Sequence, residues 1–405
     1  MGGMSGPLDG VRVIELASVV LGPWACQVLG DLGADVVKVE PPAGDSNRRV
    51  GPARSPLMGA LFLTCNRNKR SVVLDAKQPR GREALLRLIA GADVLVHNLR
   101  PTSLARLGLE YRALAALNPR LIFCGTYGYG ARGPYADRPA YDDSVQAASG
   151  VAGLAERLGG EPAFVPTILA DKTTALAVVG AVTAALYARE RTGQGQEVEV
   201  PMFETMVAYL MVEHLYGATF DPPAGRPGYT RLLTPHRRPH RTLDGCLAVL
   251  PYLDDHWRAF CDVASRPDLV ADPRFATLAA RAEHIDEVYA ETGRIVATRT
   301  TAEWRDRLGA AGVPVTAVRS LDDLLADEHL LATGFWQFLE ATSEGRLRMP
   351  GVPMRFEATP GTIRRAPPRL GEHSAEVLRE AGLSAEEIEA LARGGVTVAA
   401  GMEEG

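Results

Sequence analysis

Asp171 stands in FVPTILADKTTALAVVG, where an extended stretch gives way to a long apolar helix. A carboxylate there can do two things. As an N-cap it accepts a backbone hydrogen bond and contributes about 1 kcal/mol to the helix, and position alone favours that role. It can also be a nucleophile, held ionised by the helix N-terminus, with free N–H groups nearby to stabilise an oxyanion. The roles are compatible, and the segment by itself does not choose between them. Tyr141, Asp142 and Asp143 follow a glycine-rich loop. Two adjacent carboxylates can hint at a metal, but no third ligand stands at motif spacing, and a solvated loop is the simpler reading.

Other patterns are weaker. GYGARG (Gly128 to Gly133) fits GxGxxG, but Pro134 and YADRPAYDD deny it the helix that a pyrophosphate needs. TPHRRPHR concentrates His236, Arg237, Arg238, His240 and Arg241. It is either a solvated loop or a site facing a carboxylate or phosphate. Arg100, Arg106 and Arg138 lie near predicted strand ends, where a phosphate-rich ligand would use them. The five cysteines form no CxxC pair and the eight histidines no HExxH, so no metal site is expected.

These residues need a scaffold, and the first half alternates strand and helix signals. Strands are predicted at 11–17, 34–40, 71–76, 92–98 and 120–126, with helices at 22–33, 79–91, near 103–117 and at 172–190, then a strand from EVEV. That alternation implies an α/β fold with a parallel sheet, whose ligands bind beyond the carboxyl ends of the strands. Those ends carry Ala17 to Val20, Glu40, Asn98 and the loop 125–143. DPPAGRPGYT (221–230) reads as a linker to a smaller α+β unit, with a hairpin turn at Asp244–Gly245. FWQFLEATSEGRLRMP reads as a second hairpin, and Ser384 with Glu387 as a capping box on the last helix.

A length of 405 residues favours two domains, and a formal charge of -5 argues against a bulk nucleic-acid partner. MGGMSGPLDG lacks the pattern of a signal peptide, and the apolar stretch 173–188 is too short for a bilayer. No membrane is expected, and the cytoplasm is the expected location.

Long blocks also carry a resemblance. GPLDGVRVIELASVVLGPWACQVLGDLGADVVKVEPPAGD, NRNKRSVVLD, ADVLVHNLRPTSLARLGL, NPRLIFCGTYGYGARGP, the ILAD segment, RERTGQGQEVEV and APPRLGEHSAEVLREAGLS occur in the order seen in one family. The chain resembles class III CoA-transferases of the CaiB/BaiF type, the group of formyl-CoA transferase, carnitine CoA-transferase and 2-methylacyl-CoA racemase. The resemblance implies a Rossmann-like large domain over 1–220 and 335–405, a linker and smaller α+β domain over 221–334, and an interlocked ring homodimer. It implies Asp171 as the nucleophile, coenzyme A and acyl-CoA as substrates, a free carboxylic acid as acceptor, and no permanently bound cofactor. Val19, Lys38, Asn98, Leu99, Arg106 and Tyr141 match its CoA-contacting positions.

The departures guide specificity. Tyr141 stands where the racemase branch has a histidine base, and a phenol is a poor α-proton abstractor at neutral pH. Val20 replaces the glutamine of the formyl-CoA type, and the glycine run covering that type's active site is missing near 225–240, where TPHRRPHR stands instead. Arg237 or Arg238 is therefore expected to recognise the distal carboxylate of a dicarboxylic substrate such as succinate. Racemisation and non-catalytic acyl-CoA binding are the alternatives.

Overall fold

The computed structural model describes residues 6–398. Its first unit holds residues 6–149, 165–209 and 331–398, and its second 150–164 and 210–330. This differs from the expected division in three places, one being that the first unit resumes at Leu331 rather than at 335. The second unit starts at Leu210, inside a helix, and it also takes 150–164. Packing rather than proline content sets that boundary.

The first unit is built on six parallel strands: β1 (Arg12–Leu16), β2 (Asp35–Glu40), β3 (Lys69–Val73), β4 (Val94–His97), β5 (Ile122–Gly125) and β6 (Gln196–Glu199). Their order is β3-β2-β1-β4-β5-β6. Ile14 of β1 pairs with Val37 on one side and Leu95 on the other. The inner strands read as nearly unbroken apolar runs because helices cover both faces. Glu15 and Lys38 break that rule while being fully buried.

Six helices matter for the site: α1 (Leu21–Asp31), α2 (Pro79–Ala90), α3 (Pro101–Leu107), α4 (Asp142–Ala148), α5 (Leu169–Thr192) and α6 (Met202–His214). The single helix expected near 103–117 is two, because Gly108 takes a left-handed φ of 64° and ends α3. Helix α5 is longer than expected. It has 24 residues and is apolar and long enough to cross a membrane by length and composition, which corrects the reading from residues 173–188. In this structure it packs on α1 and α4 and buries Asp171, Thr174 and Arg189.

The C-terminal segment returns to the first unit. Val377, Leu378 and Leu391 pack into the same core as Ile14, Leu85, Leu95 and Phe123. The final helix Ala385–Arg393 has the expected capping box, with Glu387 N–H donating to Ser384 Oγ at 3.2 Å and Ser384 N–H to Glu387 Oε2 at 2.7 Å. The hairpin β7 (His240–Arg241) and β8 (Cys246–Val249) turns at Asp244–Gly245 and pairs with β9 (Val315–Ala317) in the second unit, over a core of Trp257, Phe260 and Trp304. The other expected hairpin is β10 (Trp336–Ala341) and β11 (Gly345–Pro350).

Candidate active site

Strand order reverses between β1 and β4, and a crevice opens there beyond the strand ends, where open α/β sheets place their ligands. Ser18 and Val19 follow β1, Asn98 and Leu99 follow β4, and Thr126 to Gly128 follow β5. Together with Tyr141, Asp171 and Met202 they line a cavity of about 310 Å³.

Asp171 is not the N-cap of α5. That position is Ile168, and Asp171 sits in the first helical turn, 8% exposed. Its own N–H donates to Asp142 Oδ1 at 3.0 Å, so that group is not a free oxyanion donor. Asp142 is fixed in turn by Gln146 Nε2 at 2.6 Å, and its role is to cap α5 rather than to bind a metal. Among the described residues no donor reaches the Asp171 carboxylate, leaving its lone pairs open to the cavity. Burial first, and the Asp142 charge second, lift its carboxyl to about 7. The expectation of a carboxylate held fully ionised by the helix end is corrected: burial and the neighbouring Asp142 charge both favour its protonated form.

The predicted contact residues separate. Val19, Asn98, Leu99 and Tyr141 line the cavity with Asp171, and Tyr141 is 70% exposed. The Asn98 amide is already engaged, donating to Ser18 O at 2.9 Å and accepting from Ser18 N at 3.2 Å. Val20 does not line the cavity. It is 3% exposed at the start of α1, which corrects its assignment to substrate. Lys38 is corrected too. It is fully buried, and Nζ spends its three protons on Glu15 Oε1 at 2.8 Å, Ala17 O at 2.9 Å and Asp45 Oδ2 at 3.0 Å. Burial disfavours its charge, but Glu15, Asp45 and Glu40 raise its pKa. No donor remains for a nucleotide.

Arg106 lines a neighbouring cavity of about 690 Å³, which shares Leu99 and Ser103 with the first. Leu16, Leu74, Ala76 and Leu107 make its walls apolar, while Lys77 and Arg82 join Arg106 as exposed cations. The sequence reading missed Lys77 and Arg82. Lys77 lies in the loop after β3 and Arg82 in the first turn of α2, so the carboxyl end of β3 is the signal that points to them. Met202, at the start of α6, was missed as well. Arg237 and Arg238 are exposed in the second unit, where Arg238, with His236, His240 and Arg241, lines a cavity of about 780 Å³ that does not include Arg237. The GYGARG loop is held by carboxylates, with Gly130 N donating to Glu204 at 3.0 Å and Ala131 N to Glu199. No helix starts in it before Asp142.

Comparison with known proteins agrees with this geometry. The family model for CoA-transferase family III matches residues 8–374. A succinate–glutarate CoA-transferase from Agrobacterium fabrum is 37% identical over 391 residues, covering 92% of this chain and 95% of the relative. The succinyl-CoA:glutarate CoA-transferase of Mus musculus is 32% identical, covering 92% and 86%. The crystal structure of a CaiB/BaiF family protein from Brucella suis superposes with a TM-score of 0.78 at 32% identity, covering 93% of this chain and all of that one. A six-stranded parallel sheet, a buried carboxylate at its switch point and a match across nearly the whole chain converge, and the protein belongs to CoA-transferase family III.

Proposed function

We propose that this CoA-transferase moves CoA from a dicarboxylic acyl-CoA, succinyl-CoA first, to a free carboxylic acid through covalent intermediates on Asp171. The observation that carries the reading is the Asp171 carboxyl, buried yet opening on the cavity with no donor blocking it. The ionised carboxylate attacks the thioester carbonyl, forming a mixed anhydride and expelling CoA thiolate. The thiolate attacks the aspartyl carbonyl, which releases the donor acid and leaves an aspartyl-CoA thioester. The acceptor carboxylate then attacks that thioester, and the expelled thiolate takes the new acyl group, restoring Asp171. Every bond is made by a carboxylate or a thiolate, so the scheme calls for no resident cofactor.

The paired cavities suit CoA in this reading. Its adenosine phosphates would meet Lys77, Arg82 and Arg106, the sheet being Rossmann-like, and its pantetheine arm would pass Leu99 towards Val19 and Asp171. Among the described residues no histidine lines the cavity with Asp171, which favours transfer over α-proton abstraction. The named activities of the relatives support succinate as one partner acid, and Arg237 or Arg238 would read its distal carboxylate. Exposed Leu176 and Tyr187 on α5 suit a homodimer, and five free cysteines suit a reducing cytoplasm.

The test is isotope exchange in D₂O, with a panel of acyl-CoAs and labelled free acids. Label passing from acid to acyl-CoA without α-deuteration supports the proposal. Deuteration without any acid requirement would assign the protein to racemisation.

A further inference from the structure

Val19 takes a φ of 74°, a left-handed conformation that is an outlier for a β-branched residue. Side chains grip the chain here through the carbonyl of Ala17 and the N–H and carbonyl groups of Ser18 and Val19. Ala17 O accepts from Lys38 Nζ at 2.9 Å, and the Asn98 amide bonds Ser18 N and Ser18 O. Val19 N donates to both oxygens of Asp45, at 3.2 and 3.3 Å, and Val19 O accepts from Asn47 Nδ2 at 2.7 Å. Asp45 is itself anchored by Lys38, and Lys38 by Glu15, which also pairs with Lys69 at 2.7 Å. All four charged side chains are buried. Ser18 and Val19 form one wall of the cavity that holds Asp171.

We propose that Asp45, Asn47 and Lys38 are positioning residues: they clamp Val19 in its disfavoured conformation and so set the wall against which the CoA thioester arm lies. The inference rests on the CoA-transferase reading for the identity of the ligand, but the clamp itself does not. Four buried charges are a costly way to fix one loop unless its shape matters. Their arrangement is directional, since the innermost carboxylate holds two lysines, one lysine holds Asp45, and Asp45 holds Val19. Without the clamp, Val19 returns to extended backbone and the wall moves.

Asp45→Asn keeps the side-chain shape but turns one acceptor into a donor facing Lys38. Asn47→Ala removes one neutral hydrogen bond and serves as the milder variant should the first fold poorly. Two readouts are needed. Amide exchange of the peptide around residues 15–24 reports the clamp without any ligand, and the dissociation constant for CoA reports the wall. Each variant should exchange at least about tenfold faster at Val19 and bind CoA about tenfold more weakly, with KM for acyl-CoA rising far more than kcat falls. Adding Val19→Gly to Asp45→Asn should recover most of that affinity, because glycine adopts a φ of 74° unaided. A merely structural role for the buried charges would lower Tm without this recovery. Unchanged exchange, or faster exchange with unchanged CoA affinity, overturns the proposal. If the unaltered protein does not bind CoA, the proposed function fails instead, and the exchange data still decide the clamp.

Discussion

Replacing Asp171 by asparagine should abolish transfer and at the same time stabilise the protein, by an amount that depends on pH. The Asp171 carboxyl is raised to about 7 in the folded protein, by burial first and by Asp142 second, whereas an unfolded chain ionises it near pH 4. Between those values the folded state keeps a proton that the unfolded state has lost, so stability falls as pH rises across that window. At about 1.36 kcal/mol per pH unit the full cost above pH 7 is about 4 kcal/mol. Asparagine keeps the shape and never ionises. The gap between variant and unaltered protein should therefore widen by about 2 kcal/mol from pH 5.5 to pH 8, a few degrees in Tm. Paired calorimetric scans at the two pH values measure it. A variant whose advantage is the same at both, or that is less stable at pH 8, would show that the buried carboxyl carries no ionisation strain. Such an outcome would also remove the stability–activity trade-off expected of a preorganised nucleophile.

The same shift predicts activity. With saturating acceptor, kcat/KM for acyl-CoA should fall as pH drops below about 7, where Asp171 takes up its proton. Asp142→Asn should move that limb to lower pH by removing the neighbouring negative charge, and a limb left in place would contradict the assignment. Neutralising Lys77, Arg82 or Arg106 should raise KM for acyl-CoA about tenfold each, about 1.4 kcal/mol, and reduce its sensitivity to salt. Steady-state kinetics at two ionic strengths check this. For Arg237→Ala or Arg238→Ala, at least one should raise KM for succinate about tenfold or more, as expected when a charged hydrogen bond of about 1.5–3 kcal/mol is lost, with monocarboxylic acceptors little affected. If both leave acceptor preference unchanged, neither arginine reads the distal carboxylate.

Much of the scaffold is legible in the sequence because it depends on local patterns. VRVIEL, VVKVE and VLVH are strands since near-continuous apolar runs fit a sheet covered on both faces, and glycines mark their ends. The capping box at Ser384 and the turn at Asp244–Gly245 are equally local. What stays hidden depends on distant approaches. Lys38 looks like a charge at a strand end, and only the fold brings Glu15, Ala17 O and Asp45 onto its three protons. Lys77, Arg82 and Arg106 become one cationic cluster only once β3 and β4 are placed either side of β2 and β1. The raised pKa of Asp171 comes from burial first and then from Asp142, which lies 29 residues earlier in the chain and docks on its backbone. The helix-end argument alone points the wrong way. The left-handed Val19 carries no sequence mark at all, since glycine is the residue expected there.

The most direct test of the central claim is mass spectrometry of the Asp171 peptide after incubation with succinyl-CoA and quenching with hydroxylamine. A covalent acyl intermediate on that side chain predicts a hydroxamate at Asp171 that forms only with acyl-CoA present and is absent from the Asp171→Asn variant. Turnover with an unmodified Asp171 peptide, or continued transfer by the variant, would contradict the account.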